Sequence, residues 1–372
     1  MRILRVTSDL YPYVIGGIGV HAREMSKSQS KLGHEVTILT TSMAEKVPGN
    51  QDGFRVACFK NSMKLLGNTI SLELLFKLFR VRKSYDIIHA HSHLYFSTNI
   101  CALVRRIGSS PLVITNHGIM SSSAPDWFNL LYLKTLGKWT LNTADKIICY
   151  TEEEKKKLIN ILHISESKIA VIPNGIDTDQ FHPRIGNRTT GAIKLVCVSR
   201  FVKGKGVEYI IRAMGILVKE TPDLHLTLVG EGPERDCICE LIENLGLIDN
   251  VSIINFVPYD KMPRVFQDSD IFVLPSLHEG VPRTALEAMS CGLPVVISDF
   301  SHLRDLIDGG GLMFPKKDVQ ALADSLRILI NDDDKRAKMG RKAREKIVRE
   351  YSWERTVAGT LDVYQGVVSS AN

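Results

Sequence analysis

The run Ile271-Phe272-Val273-Leu274-Pro275 and, three residues further on, Glu279-Gly280-Val281-Pro282-Arg283-Thr284-Ala285-Leu286-Glu287-Ala288-Met289 decide how this chain folds. The first is short, apolar and stopped by proline, the pattern of a strand buried on both faces. The second opens with a glycine-containing loop and turns helical, with Pro282 suited to the first helical position, where an N–H would have no partner anyway. Strand, loop and helix make half of a β-α-β unit, and the rhythm continues outward. Residues 194–198, 224–229, 251–256 and 293–297 are short β-rich runs separated by helical segments, as are 1–8, 34–40, 87–91, 112–115 and 146–150, and a further strand ends in 169–175. The polar stretch 182–190 breaks the rhythm and is the expected linker. The fold class is therefore α/β, with two Rossmann-like doubly wound domains at 1–180 and 190–354 and a last helix, about 355–372, packing back on the first. Two such domains are expected to face a central cleft with the carboxyl ends of their strands.

Composition excludes several classes. Apolar residues are 44% and charged residues 24% of the 372, an ordinary globular balance rather than a disordered or collagen-like one. No run of 18 apolar residues and no leader-like N-terminus is present, so the expectation is a chain that neither spans a membrane nor carries a signal peptide. The seven cysteines are odd in number and scattered, mostly in apolar runs, which suits reduced core thiols and a cytoplasmic setting. Cys237 and Cys239 form a C-x-C with no second metal-ligand pair nearby. The net charge of +6 is uneven: residues 1–170 hold 22 Lys/Arg against 13 Asp/Glu, and the rest hold 25 against 28. A basic first half predicts an anionic partner, phosphate groups or a membrane surface. Nucleic acid is not expected, because the cations are dispersed and no basic-aromatic motif occurs.

The decisive segment also carries chemistry. A helix start at the carboxyl end of a parallel strand offers free N–H groups and a positive dipole end to a phosphate. Glu279 before that helix and Glu287 inside it can grip different hydroxyls of one extended polar ligand, and a sugar nucleotide has that shape.

With Gly292-Leu293-Pro294-Val295-Val296 following, this E-x7-E segment resembles the family 4 glycosyltransferases of the GT-B fold. Gly16-Gly17-Ile18-Gly19, Gly33-His34-Glu35-Val36, Asp86 to His91, Thr115-Asn116-His117-Gly118, Pro173 to Asp177 and Ser199-Arg200-Phe201 with Lys205-Gly206 occur in that family's order. The resemblance spans nearly the whole chain. It implies a retaining glycosyltransferase of hexosyltransferase type, moving a sugar from a nucleotide-diphosphate donor.

By the same resemblance, His117, Arg200, Lys205 and Glu279 are the expected catalytic residues. Arg200 and Lys205 clamp the donor diphosphate, supplying fixed positive charge where the leaving phosphate becomes negative. Glu287 takes the ribose hydroxyls, Glu279 the transferred sugar, and His117 touches that sugar near the reacting centre. Gly16, Gly17 and Gly19 are expected to form a tight turn that lets backbone approach the donor, with Gly280, Val281, Pro282, Arg283 and Thr284 completing the donor loop. The chain departs from the common pattern at Asn255-Phe256-Val257-Pro258, where Val257 backbone is the expected base contact, and at Val281-Pro282-Arg283, which replaces an aromatic-glycine pair.

No metal and no cofactor are expected. Asp177-Thr178-Asp179 and Asp268-Ser269-Asp270 resemble metal-holding triplets, but the cationic clamp already brings the charge a metal would bring. His89, His91 and His93 alternate along a strand without acidic or cysteine companions.

The expected acceptor is a lipid-linked or cell-envelope glycan on the cytosolic face of a membrane. Leu72, Leu75, Phe76 and Phe79 at helical spacing, interleaved with Lys77, Arg80, Arg82 and Lys83, form a basic amphipathic helix that suits either an anionic membrane surface or a protein core. Trp127, Phe128 and Trp139 with Lys134 and Lys138 add interfacial aromatics. A soluble transferase making a small glycoside and a non-catalytic sugar-nucleotide-binding module are the alternatives. Intact Glu279, Glu287, Arg200 and Lys205 weigh against the latter.

Overall fold

Alternation along the strands explains the two layers of core on either side of each sheet. The computed structural model describes the chain except residues 9, 11–16, 43–49, 66–67, 109, 119–124, 186–190 and 372. Among the described residues ten strands precede residue 174: β1 (Arg2–Thr7), β2 (Glu35–Ser42), β3 (Asn50–Gln51), β4 (Phe54–Lys60), β5 (Met63–Leu65), β6 (Asn68–Ile70), β7 (Ile87–His91), β8 (Leu112–Thr115), β9 (Lys146–Cys149) and β10 (Ile169–Val171). Six follow: β11 (Lys194–Val198), β12 (His225–Val229), β13 (Val251–Ile254), β14 (Ile271–Leu274), β15 (Val295–Ser298) and β16 (Gly311–Phe314).

The first sheet runs β10-β9-β8-β7-β1-β2-β4-β3, parallel except for the short edge strand β3, and β5 and β6 pair as a separate antiparallel ribbon. Leu4 and Val6 enter one core layer with Ile88 and Ala90, while Ile3 and Ile87 enter the other, as a side-chain period of two demands. The second sheet runs β13-β12-β11-β14-β15-β16, wholly parallel. There Leu195, Cys197, Ile271 and Val273 face one layer, and Val196, Phe272 and Leu274 the other. Strand order reverses between β1 and β7 in the first sheet and between β11 and β14 in the second, the places where loops splay apart and ligand sites form in such sheets.

The chain divides into two units, one of Met1–Pro173 with Thr356–Asn372, the other of Asn174–Arg355. This moves the expected linker. Ile176 and Phe181 are fully buried in a core layer of the second unit, and the Phe181 carbonyl accepts from Arg344 Nη1 at 2.7 Å and Ser290 Oγ at 2.6 Å. The chain has therefore entered the second unit before the polar stretch at 182–190 begins, and polarity marked a surface loop, not a boundary. The helix Trp353–Ala371 places Trp353 in the second unit, and its residues Tyr364 and Val367 fill a core layer of the first.

Local signals set the other elements. Asp332 caps the helix Asp333–Glu350 by accepting from Lys335 N, and Thr151 caps Glu152–Leu162 from Glu154 N. All seven cysteines are free thiols. No described helix is long and apolar enough to cross a membrane.

Candidate active site

The β11–β14 reversal gathers most of the charged residues picked out above. After β11 the chain turns through Arg200 and a short helical turn, Lys203–Lys205, into Gly206. Gly206 has φ +60°, and a Cβ there would fall 2.3 Å from the Pro275 carbonyl oxygen, so only glycine lets this loop lie against the end of β14. That approach carries Lys205 across the reversal. Its Nζ donates to Glu279 Oε1 at 2.5 Å, and Ser276 Oγ donates to the same oxygen at 2.8 Å. Glu279 is largely shielded and Lys205 half-buried, so the pair is only partly screened by solvent. Arg200 is exposed, and no described residue bonds its guanidinium.

Pro282 is the N-cap of the helix Arg283–Ser290, one position earlier than expected, because its carbonyl already accepts from Ala285 N and Leu286 N. The amides of Arg283 and Thr284 lie in the first turn, where an α-helix leaves donors unsatisfied. Gly280 is exposed, Val281 packs against the core, and Thr284 is half-buried. Glu287 is 3% exposed, a buried carboxylate. Burial pushes its pKa up to about 7, against the opposing pull of Arg283 and a hydrogen bond from Tyr259. Arg283 Nε donates to Glu287 Oε1 at 3.1 Å and Nη2 to Tyr259 Oη at 2.7 Å. Val257 is half-buried in the loop after β13, which ends at Ile254, two residues short of expectation.

The reversal in the first unit is built from rings. Gly17 begins the helix Gly17–Lys31 and Gly19 lies buried in its first turn, so these glycines form a helix start in place of the expected turn; Gly16 lies outside the described residues. His21 on that helix meets His91 and His117 edge-on, with ring centroids 5.6 and 5.4 Å away. His117 is half-buried. Its Nε2 lies 3.0 Å from His91 Nδ1 and its Nδ1 2.9 Å from Tyr150 Oη. His89 bonds Thr115 Oγ1 at 2.7 Å and also Tyr364 Oη. Burial holds His89 and His91 well below the usual imidazole range, reinforced by Arg5 and neighbouring histidines, so both are neutral at pH 7. Arg5 is itself fully buried on Ser26, Gln29 and Tyr364.

Strand β7 stops at His91, and Ser92 takes a left-handed φ of +61°. His93 thus leaves the alternating face and bonds Asn116 Oδ1 at 2.7 Å. Among the described residues no group of three or more His, Cys, Asp or Glu side chains is placed to hold one metal ion. In the first D-x-D string Asp177 accepts from the amides of Asp179 and Gln180; in the second Asp270 accepts from Lys194 N at 2.7 Å. Asp177 braces its own turn, and Asp270 ties the start of β11 to the residue before β14.

Tyr259, Tyr150 and Ser276 were not picked out in the sequence. Tyr150 stands at the carboxyl end of β9 and Ser276 just after β14, the rows from which ligand loops spring, so a search of strand-end residues would have reached both. Tyr259 lies two residues beyond Val257, with no pattern of its own.

Two parallel sheets, with ion pairs at one reversal and rings at the other, define an α/β enzyme of the GT-B class. Residues 15–180 match the family described as Glycosyltransferase Family 4 and residues 178–346 that described as Glycosyl transferases group 1, and the chain belongs to these glycosyltransferases. An uncharacterized glycosyltransferase of Methanocaldococcus jannaschii is 26% identical, covering 98% of both chains. The UDP-Gal:alpha-D-GlcNAc-diphosphoundecaprenol alpha-1,3-galactosyltransferase of Escherichia coli is 28% identical over 85% of this chain and 84% of its own. Among solved structures, sucrose-phosphate synthase of Thermosynechococcus elongatus superposes with a TM-score of 0.84 at 22% identity, covering 99% of both chains. The Anabaena protein HepE in complex with UDP-glucose gives 0.79 at 22% identity over 98% of this chain and 100% of its own.

Proposed function

We propose that this glycosyltransferase moves a hexose from a nucleotide-diphosphate sugar to a lipid-linked or cell-envelope glycan, with retention and without a metal. The observation that carries the reading is the Lys205–Glu279 contact across the β11–β14 reversal, beside the exposed Arg200. When the sugar–phosphate bond breaks, negative charge collects on the leaving diphosphate, and fixed cations stabilise it without reorganisation. Lys205 and Arg200 are assigned that task, with the first-turn amides of Arg283 and Thr284 as further donors. Glu279 takes hydroxyls of the transferred sugar and Glu287 those of the ribose. His117 contacts the sugar near its reacting carbon. No protein carboxylate is assigned as a covalent nucleophile. The acceptor hydroxyl attacks the face the phosphate leaves, passing its proton to a phosphate oxygen. The UDP-glucose complex of HepE and the donor in the E. coli enzyme's name support a uridine nucleotide first.

For the acceptor, the support is exposed apolar surface among cations. Leu74 and Leu78 fill the core from the helix Leu72–Val81, which leaves Leu72 and Phe76 outside, Phe76 being 72% exposed, near Lys77 and Arg80. Trp127 is 69% exposed, with Leu130, Leu131 and Leu136 and the basic Lys134 and Lys138. Trp139, expected outside, packs against the core instead. Such surface suits an anionic membrane on the cytosolic side.

Thermal-shift measurement against UDP-, GDP- and ADP-sugars tests the donor, because a ligand that binds only the native state raises the melting temperature. One class is expected to do so, and turnover is expected to survive chelation. A β-linked product from an α-linked donor would overturn retention. Flotation with anionic vesicles tests the acceptor surface; co-flotation lost in Phe76→Ser and Trp127→Ser supports it, and no co-flotation of the unaltered protein removes it.

A further inference from the structure

We propose that Arg283 is the positioning residue of the donor site, holding the Glu287 carboxylate in the place and orientation from which it receives the nucleoside. This rests on the reading of Glu287 as a donor-binding group. A carboxylate removed from water needs a partner of opposite charge and further hydrogen bonds, or it takes up a proton. Arg283 stands one turn before Glu287 on the same helix, the i to i+4 spacing at which side chains meet. Both side chains are shielded from solvent, Arg283 9% and Glu287 4% exposed.

The guanidinium is held from several directions. Nε donates to Glu287 Oε1 at 3.1 Å, Nη2 to Tyr259 Oη at 2.7 Å and Nη1 to the Gly175 carbonyl at 3.5 Å. Its carbon lies 5.6 Å from the Tyr259 ring centroid and 5.9 Å from that of Trp353. Gly175 and Trp353 belong to the adjoining segments by which the chain enters and leaves the second unit, where Trp353 N donates to the Ile176 carbonyl at 3.0 Å. A planar fork gripped this way has one orientation available, and so has the carboxylate bonded to it. Arg283 is also one of the positions where the chain departs from its family's commoner pattern, so the device belongs to this chain's own residues.

The groups around Glu287 favour this division of labour. Tyr259 donates to the carboxylate, Cys291 lies one turn further on, and Arg344 is engaged with the Phe181 and Ser290 carbonyls. Arg283 is thus the cation directly on Glu287. Burial places the carboxyl midpoint at about 7, and the Arg283 charge acts to lower it. Without that charge the carboxyl holds its proton through neutrality.

The test uses the full chain as wild type, Arg283→Gln, Arg283→Lys and Glu287→Gln, titrated with UDP, GDP and ADP between about pH 6 and about pH 9. For the nucleotide that binds, wild-type affinity is expected to fall about tenfold per pH unit below neutrality. In Arg283→Gln that limb moves up by about one unit, so binding at pH 7 weakens about fivefold and recovers near pH 9; Arg283→Lys lies between. Glu287→Gln is the baseline, lacking the limb and keeping only the nucleotide's own ionisation. A loss in Arg283→Gln that is equal at every pH, or no loss, overturns the proposal. Wild-type affinity in Glu287→Gln, or no binding of any of the three, instead overturns the donor reading. Carboxyl carbon NMR titration of Glu287 then decides Arg283 alone: an upward midpoint in Arg283→Gln supports it, and an unmoved one removes it.

Discussion

The two strand-order reversals solve the same geometric problem with opposite chemistry. In the second unit the loops after β11 and β14 bring ions together, Lys205 with Glu279 and Arg283 with Glu287. In the first unit the ends of β7, β8 and β9 bring together rings, His91, His117 and Tyr150, over the buried His89 and Tyr364, with His89 and His91 kept neutral by burial. Fixed ions suit a ligand that is charged or becoming charged. Neutral donor–acceptor rings suit hydroxyls, because a ring nitrogen gives or takes a hydrogen bond without carrying charge. The contrast extends to pH. Glu287 titrates above its ordinary range because of burial, while His89 and His91 titrate well below theirs for the same reason. Desolvation favours the uncharged form of each group, opposed at Glu287 by Arg283, and the pH slopes of the two units therefore run in opposite directions.

The most severe way to break this contrast is to remove the ammonium. Lys205→Ala is expected to lower kcat/KM for the donor by about 10²- to 10³-fold, the range for losing one charge-stabilising donor. Unchanged turnover would end the clamp assignment, whatever happened at the other reversal.

Stability against pH comes next in size. Glu287 has a folded pKa of about 7 against an ordinary value of 4.5, so its stabilising contribution is complete below the unfolded value and is lost as pH rises through the folded one. Glu287→Gln escapes that loss and should be more stable than wild type by about 3 kcal/mol at pH 8, the two converging near pH 4. Denaturant titration at both pH values checks this. Equal pH profiles for the two proteins would mean that the carboxylate is ionised without cost.

His89 and His91 give the reverse slope. Their folded pKa values are depressed, so their contribution is present above about pH 6.5 and is lost as pH falls. Amide exchange in β7 and β8 should accelerate as pH drops below 6.5 by more than the intrinsic chemistry predicts, equivalent to about 1.4 kcal/mol per pH unit for each histidine. Protection in β14 should not follow it. Parallel acid loss in both sheets would erase the distinction between the units.

The smallest effect sharpens the picture of the rings. Tyr150→Phe removes the hydroxyl on His117 Nδ1 and should cost about 1 kcal/mol, seen as a several-fold fall in kcat with little change in donor KM. A change confined to KM would place His117 in binding alone.

Much of this was legible before any fold was known. The β-rich runs 87–91, 112–115, 194–198 and 271–275 read correctly because a strand buried on both faces is written in consecutive residues. Glu287 also stood out, by its spacing from Glu279. Its burial did not, because a lone glutamate in a helix reads as solvent-facing unless its cation is known, and Arg283 read only as part of a loop. Tyr259, 24 residues from Arg283, completes that site and has no local signature. Phe76 and Leu74 show the same limit: both are apolar on one helix, and only packing assigns Leu74 to the core and Phe76 to solvent.

What the order of residues determined by itself was the repeated β-α-β rhythm, the uneven charge between the halves and the positions of Arg200, Lys205, Glu279 and His117 in loops after strands, with Glu287 inside the helix that follows. These depend on short-range periodicity and on steric rules that each residue carries with it. The pairings of Lys205 with Glu279 and of His117 with Tyr150, the desolvation of Glu287, and the true crossing points at Pro173 and Arg355 were decided only by tertiary structure. Each depends on groups far apart in the chain that sheet order brings within a few ångströms, where burial strengthens their interaction.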